Sequence, residues 1–113
     1  MTTPRQLCEQ LDLIYLCGPG DQPLTGGVYC CDLLSLVMGR APAQGVWVTV
    51  MGNVNAVAVA VLADLGCVVL AEGMTLPPEA RQKAEAQGVT VLAAPAPVFD
   101  TARRIAELLE KQA

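Results

Sequence analysis

The stretch VWVTVMGNVNAVAVAVLADLGCVVLA, residues 46–71, decides the fold. It opens with VWVTVM at 46–51, a β-branched and mostly apolar run that is typical of a strand. Asn53 is a suitable N-cap for the apolar helix that follows, and we expect Gly66 to end that helix. The next run, CVVLA at 67–71, lacks apolar–polar alternation, as do strands buried on both faces of a parallel sheet. The stretch therefore predicts a strand–helix–strand unit with parallel strands.

The same alternation continues towards the C-terminus. Pro78 opens a helix that Gly88 ends, VTVLA at 89–93 predicts another strand, and TARRIAELLEKQ at 101–112 predicts a last amphipathic helix. Short links between alternating strands and helices favour a sheet layered with helices. We predict an α/β fold with a mostly parallel sheet in a three-layer or two-layer arrangement. The whole chain, 1–113, is expected to form a single domain.

The beginning of the chain is less regular and is expected to add mixed strands. TPRQLCEQLD predicts a short helix that Thr3 caps, with Pro4 at the first helical position and an end near Leu11. LIYLC at 13–17 predicts a strand. The turn-rich GPGDQP at 18–23 predicts a loop rather than a phosphate-binding turn, because a strand and not a helix follows it.

Two adjacent glycines lie in the next predicted strand, TGGVYCC at 25–31. Glycine weakens a strand unless the chain bends there or something approaches the backbone closely. Gly26 and Gly27 therefore indicate a close approach to a neighbouring segment or a two-fold mate, or else to a ligand. After this strand, Asp32 is expected to cap a helix that Gly39 ends.

The composition predicts self-association. The chain is 53% apolar and only 16% charged, with a mean hydropathy of +0.44. A chain this short buries a smaller fraction of its surface than a larger domain does, so we expect the apolar excess to lie at a subunit interface, most simply in a two-fold dimer. The helices at 33–38 and 54–65 are apolar nearly all round. We expect them to form the contact, unless other segments of the same chain cover them.

Several classes of partner are excluded by charge and patterning. The net charge is −4 with two lysines, and the aromatic residues do not interleave with basic ones, so we predict no nucleic-acid partner. The chain shows no apolar run long enough for a membrane span and no secretory signal, so we predict a cytoplasmic protein without a membrane partner. The five cysteines, without histidine or a C-x-x-C motif, predict reduced, buried thiols and neither metal nor cofactor.

Catalytic equipment is sparse. Without histidine no imidazole base is available, and no phosphate-binding P-loop motif is present. Asp32 and Asp100 stand at predicted helix starts, where capping explains them. Glu72 follows a strand end, where ligand sites of parallel α/β sheets lie. Asn53 and Asn55 stand where a helix begins and free N–H groups favour an anion, although a simple cap and a solvent-facing amide would explain them equally.

The chain resembles the DRTGG domain. The resemblance rests on TGG at 25–27, CDLLSLVM at 31–38, WVTVMGNVNAVAVAVLADL at 47–65 and VVLAEGMTLPPEARQKAEAQGVTVLAAP at 68–95, and it covers roughly residues 4–110. The chain departs from the family's pattern by having Pro-Leu, and not Asp-Arg, before Thr-Gly-Gly. The resemblance implies a fold similar to the N-terminal domains of HPr kinase/phosphorylase and of Mur ligases. It also implies an accessory dimerising or effector-sensing role, and an alternative context beside iron-hydrogenases.

We therefore predict a non-catalytic regulatory or interaction module, not an enzyme, that forms a homodimer and senses a nucleotide or small anion; a protein partner is a further expectation. The predicted ligand-binding residues are Thr25, Gly26, Gly27, Asn53, Asn55 and Glu72. No catalytic residue is predicted, and a kinase activity is rejected because the P-loop is missing. Two alternatives remain open: an enzyme acting on phosphate compounds with groups from a metal or partner, and an adaptor subunit in a redox context.

Overall fold

A computed structural model describes residues 1–112 of the chain as five strands and five helices. The strands are β1 (Ile14–Cys17), β2 (Val28–Cys30), β3 (Val46–Thr49), β4 (Cys67–Leu70) and β5 (Val91–Ala93). The helices are α1 (Pro4–Leu11), α2 (Leu34–Arg40), α3 (Val54–Leu62), α4 (Pro78–Gln87) and α5 (Val98–Gln112). The last residue of the predicted domain, Ala113, lies outside the described residues. Within residues 1–112, no helix is long and apolar enough to cross a membrane.

The five strands form one mixed sheet in the order β1-β5-β4-β3-β2. Strands β2, β3, β4 and β5 run parallel, and each is followed by a helix. Strand β1 pairs antiparallel with β5 at one edge, with an irregular register between Tyr15 and Cys17. The predicted α/β fold with a mostly parallel sheet and mixed strands from the N-terminal half is confirmed.

Helices cover both faces of the sheet, which makes the arrangement three-layered. On one face, Trp47 and Leu70 pack in a core that includes buried residues of α2, α3 and α4. On the other face, Val48 and Val69 pack against Leu7 of α1 and Ile105 of α5. Successive strand residues point to opposite faces, so each central strand feeds both cores. All four residues of β3 and of β4 are buried.

Local sequence signals explain where α1 and α4 begin and end. Thr3 and Gln6 form a reciprocal capping box at the start of α1, with Pro4 in its first turn. Helix α4 has the predicted bounds, and Gly88 ends it in a left-handed conformation with φ of 71°.

Some predicted boundaries are wrong. The second strand begins at Val28 instead of residue 25, and α2 runs from Leu34 to Arg40. Asp32 does not cap α2, whose N-cap Leu33 makes no side-chain hydrogen bond. The helix passes through Gly39 and ends at Arg40, and its C-cap Ala41 is extended because Pro42 follows and disfavours helical backbone.

Three further boundaries differ from the predictions. Helix α3 ends at Leu62, because Asp64 turns into the left-handed region with φ of 54° before Gly66 is reached. Strand β5 begins at Val91 rather than residue 89. Helix α5 begins at Val98, three residues before Thr101, because the carboxylate of Glu72 accepts a hydrogen bond from the first backbone N–H of the helix.

Candidate functional site

The six predicted ligand-binding residues lie at opposite ends of the sheet. Thr25, Gly26 and Gly27 precede β2 and therefore lie at its amino end. Asn53 and Asn55 follow β3, and Glu72 follows β4, so these three lie at the carboxyl end. Because β2, β3 and β4 are parallel, the two groups are separated by the length of a strand, roughly 10 Å for four residues. The structure does not gather the six residues into one site.

At the amino end, Gly26 lies against the backbone that leads into β3. Its N–H donates to the carbonyl of Gln44 at 3.1 Å. A Cβ at Gly26 would lie 2.3 Å from the carbonyl oxygen of Ala43 and 2.7 Å from the nitrogen of Gly45. Only glycine permits this approach, so the close contact with a neighbouring segment explains Gly26.

Gly27 serves a different purpose. Its φ is 81°, a backbone conformation that residues with a side chain rarely adopt. Its carbonyl accepts a hydrogen bond from Val46 N at 2.8 Å. A Cβ at Gly27 would meet nothing within 4 Å. The residue is exposed, and it forms part of the wall of a cavity.

This cavity, which we call the amino-end cavity, has a volume of about 480 Å³. Its lining residues are Met1, Thr2, Leu24, Thr25, Gly27, Val28, Ala106, Leu109 and Glu110. The volume falls in the range of small-molecule sites. The walls are mainly apolar, no lysine or arginine is among the lining residues, and the one charged side chain is the carboxylate of Glu110.

One hydroxyl on the wall of the amino-end cavity lacks a partner. Thr2 is 4% exposed, and its Oγ1 is buried without a hydrogen bond to any part of the chain that the structure describes. A buried hydroxyl that is left unpaired lowers stability, and such groups are rare in folded proteins.

At the carboxyl end, the two asparagines have separate fates. The side-chain oxygen of Asn53 accepts a hydrogen bond from Ala56 N at 2.9 Å, which caps α3. Asn55 is exposed on the outer side of the same helix. The capping explanation is correct for Asn53, and a ligand role for either residue stays a prediction.

Glu72 also holds backbone together. Its Oε2 accepts a hydrogen bond from the first N–H of α5, that of Val98, at 2.8 Å. Its own N–H donates to the carbonyl of Ala96, also at 2.8 Å, and its φ is 62°. The carboxylate favours the start of α5 by meeting a free N–H at the positive end of the helix dipole.

Asp32 joins the ends of two neighbouring strands. Its Oδ1 accepts hydrogen bonds from the hydroxyl of Thr49 at 2.6 Å and from Val50 N at 3.1 Å. Trp47 reinforces the same junction, since its indole N–H donates to the carbonyl of Cys31 at 2.8 Å. The side chains of Asp32, Asn53 and Glu72 at the carboxyl end therefore all stabilise the backbone.

The thiols differ in burial, which corrects the expectation that all are buried. Cys17 and Cys67 are buried, whereas Cys30 is exposed at the end of the edge strand β2. Desolvation raises the pKa of the Cys30 thiol, and the Asp32 carboxylate raises that pKa further. Desolvation also raises the pKa of Cys67, with a contribution from Cys8. A raised pKa keeps a thiol protonated and weakly nucleophilic at neutral pH.

Sequence reasoning missed most of the amino-end cavity. It gave no ligand role to Thr2, Leu24 or Glu110, the last of which is exposed to solvent as well as bordering the cavity. These residues meet because α1, the loop before β2 and α5 lie on the same side of the sheet. The available signal was the apolar face of α5, which includes Ala106 and Leu109.

Comparisons with known proteins show a similarity in fold. No family model matches the chain, and no match was found among the curated proteins. The fold is similar to a solved structure of the CBS and DRTGG domains of the regulatory region of a Clostridium perfringens pyrophosphatase, complexed with its activator diadenosine tetraphosphate. The TM-score is 0.75 at 14% identity. The match covers 88% of this chain and 44% of that one, so it spans less than half of the pyrophosphatase fragment.

Proposed function

We propose that this chain is a DRTGG-like, non-catalytic regulatory module that forms a homodimer and binds a nucleotide or small anion. The observation that carries the proposal is the fold similarity to a pyrophosphatase regulatory region, a structure that holds a nucleotide activator. That region is regulatory and not catalytic, which agrees with the sparse catalytic equipment of this chain.

The roles of the carboxylates also support a non-catalytic module. An enzyme acting on phosphate compounds would need acidic side chains such as those of Asp32 and Glu72, which stand after strands of the sheet. Each accepts a hydrogen bond from a backbone N–H, and Asp32 binds a hydroxyl as well. A structural role therefore accounts for both, and no observation favours the enzyme over the regulatory module.

The homodimer is supported by apolar side chains that the single chain leaves exposed. Leu33 and Met38 at α2 are 59% and 52% exposed, and Leu62 at the end of α3 is 70% exposed. Helix α3 contains no charged residue, and Asn55 and Leu62 lie on its outer side. Apolar surface of this kind is typical of protein–protein contacts.

Sedimentation of the protein at micromolar concentration tests the dimer. We expect a dimer for the unmodified chain and a monomer for Leu62→Glu, because the introduced carboxylate would be buried without a partner. Gln82→Glu is the matched control, since it adds the same charge at an exposed position on α4 and should leave the dimer intact. A monomer for the unmodified chain would refute the homodimer.

Thermal unfolding in the presence of ligands tests the sensing role. Adenosine mono-, di- and triphosphate, diadenosine tetraphosphate and inorganic phosphate form the panel. A ligand that binds only the folded state raises the melting temperature, by an amount that grows with its concentration over Kd. We expect at least one adenine nucleotide to do so, and an unchanged melting temperature across the panel at millimolar concentration would contradict the ligand part of the proposal.

A further inference from the structure

We infer that the amino-end cavity binds the uncharged nucleoside part of its ligand, a base with its ribose, and excludes phosphate. The inference rests on the proposed nucleotide-sensing function and narrows it to one site and one part of the ligand. It depends on the shape of the cavity, the chemistry of its walls and the position of its single charged side chain.

The walls suit a flat, largely apolar ring. Leu24 and Val28 come from the segment that enters β2, and Ala106 and Leu109 come from α5. Gly27 leaves open space where any other residue would carry a side chain. A volume of about 480 Å³ accommodates a small ring compound, and burial of its apolar surface supplies the affinity.

The charge of the cavity argues against an anion. Phosphate sites in proteins use arginine, lysine or free backbone N–H groups at helix starts. Neither cationic residue is among the lining residues, and Glu110 contributes a carboxylate. This exposed carboxylate disfavours phosphate close to it, so we expect the phosphates of a bound nucleotide to point out of the cavity.

The polar groups on the walls suit a ribose. A carboxylate accepts hydrogen bonds from vicinal ribose hydroxyls, the interaction by which acidic residues of dinucleotide-binding folds recognise this sugar. Glu110 offers two such acceptor oxygens, and Thr25 adds an exposed hydroxyl. The unpaired hydroxyl of Thr2 is a further polar group on the same wall.

The test compares adenosine, adenosine monophosphate and inorganic phosphate by calorimetric titration of the full chain. We expect adenosine to bind more tightly than adenosine monophosphate, and phosphate not to compete with adenosine. Glu110→Gln should lower the affinity for adenosine by about 10-fold, because it replaces charge-assisted hydrogen bonds with neutral ones. The same substitution should also narrow the difference in affinity between adenosine and adenosine monophosphate, because it removes the repulsion between the carboxylate and the phosphate.

Two further variants keep the test sharp. Glu107→Gln removes the same charge one turn earlier on α5, where Glu107 pairs with Arg103 outside the cavity, and it should bind adenosine as the unmodified chain does. Ala106→Trp fills the cavity without removing a buried group, and it should abolish adenosine binding while circular dichroism shows an intact fold.

Tighter binding of the monophosphate than of adenosine would overturn the inference, as would unchanged affinities in both Glu110→Gln and Ala106→Trp. The proposed function would survive such a result, provided that nucleotides still raise the melting temperature. If neither adenosine nor any nucleotide binds at millimolar concentration, the inference and the ligand part of the proposed function both fail, whereas the dimer is judged by sedimentation alone.

Discussion

The two ends of the sheet use polar and small residues in opposite ways. At the carboxyl end, Asp32, Asn53 and Glu72 direct their side-chain oxygens to nearby backbone N–H groups. At the amino end, Gly26 packs backbone directly against backbone, and Gly27 lies beside an open cavity. One end is therefore held together by side-chain hydrogen bonds, while the other combines close packing with open space.

This difference shows that a sequence pattern typical of a ligand site can instead mark side chains that hold the backbone together by hydrogen bonds. In α/β proteins, ligands usually bind at the carboxyl ends of the parallel strands, so acidic and amide residues there suggest a ligand site. Here the backbone uses them first, because each helix start and strand end carries N–H groups that need acceptors. The amino end, by contrast, borders the amino-end cavity.

The largest expected effect is at Gly26. Gly26→Ala places a Cβ 2.3 Å from the carbonyl oxygen of Ala43, so the loop must move, and we expect a loss of more than ~3 kcal/mol in the free energy of unfolding measured in urea. Gly39→Ala is the matched control: Gly39 lies inside α2 with open space around it, so the same substitution should add ~0.5–1 kcal/mol. A small loss at Gly26 would show that the two loops separate easily.

The next effect tests the brace at the carboxyl end. Asp32→Ala removes the acceptor for Thr49 and Val50, and we expect the free energy of unfolding to fall by ~2 kcal/mol, because hydrogen bonds to a charged group are lost. Asp21→Ala, at an exposed loop position, is the control with the same change in charge and should have little effect. Equal losses in the two variants would mean that charge and not the hydrogen bonds accounts for the change.

The two asparagines at the start of α3 give a smaller effect with an internal control. Asn53→Ala removes the cap of α3 and should lower the melting temperature by an amount equivalent to ~1 kcal/mol. Asn55→Ala changes the same side chain two residues later, at an exposed position inside the helix, and should be neutral or slightly stabilising. If Asn55→Ala were the more harmful of the two, the assignment of the cap would be wrong.

The smallest effect is expected at Glu72, where two contributions oppose each other. Glu72→Gly loses the hydrogen bond to Val98 N but relieves the left-handed backbone, each worth ~1 kcal/mol, so the free energy of unfolding should change little. Glu72→Ala loses the bond without relieving the backbone and should cost ~1 kcal/mol. Chemical unfolding of both variants separates the two contributions, and equal values for alanine and glycine would contradict this account.

The predictions from sequence were accurate where local signals agreed with one another. Thr3 and Pro4 placed α1, and Pro78 with Gly88 placed α4, because caps and breakers act within a few residues. The strand at 25–31 and the cap at Asp32 were placed wrongly for one physical reason. In both cases a residue bonded to a distant segment, Gly26 to Gln44 and Asp32 to Thr49, and this bond replaced the local alternative.

The candidate site was predictable only in part. Thr25 and Gly27 were named from sequence and do line the amino-end cavity, whereas Glu110, an exposed residue of α5, was not named as a ligand-binding residue. Their pairing joins positions more than eighty residues apart. A pattern that repeats every two or four residues carries no information about which distant face it will meet.

The sequence by itself determined the alternation of strands and helices from Val46 to Ala93, since apolar periodicity, caps and glycine stops are properties of neighbouring residues. It also determined that the chain lacks histidine and a phosphate-binding loop. Only the tertiary structure decided that α1 and α5 cover one face of the sheet, that the polar residues at the carboxyl end serve as braces, and that open space remains beside Gly27. These outcomes depend on how distant surfaces fill the volume between layers, and that volume is defined only once all the layers are packed.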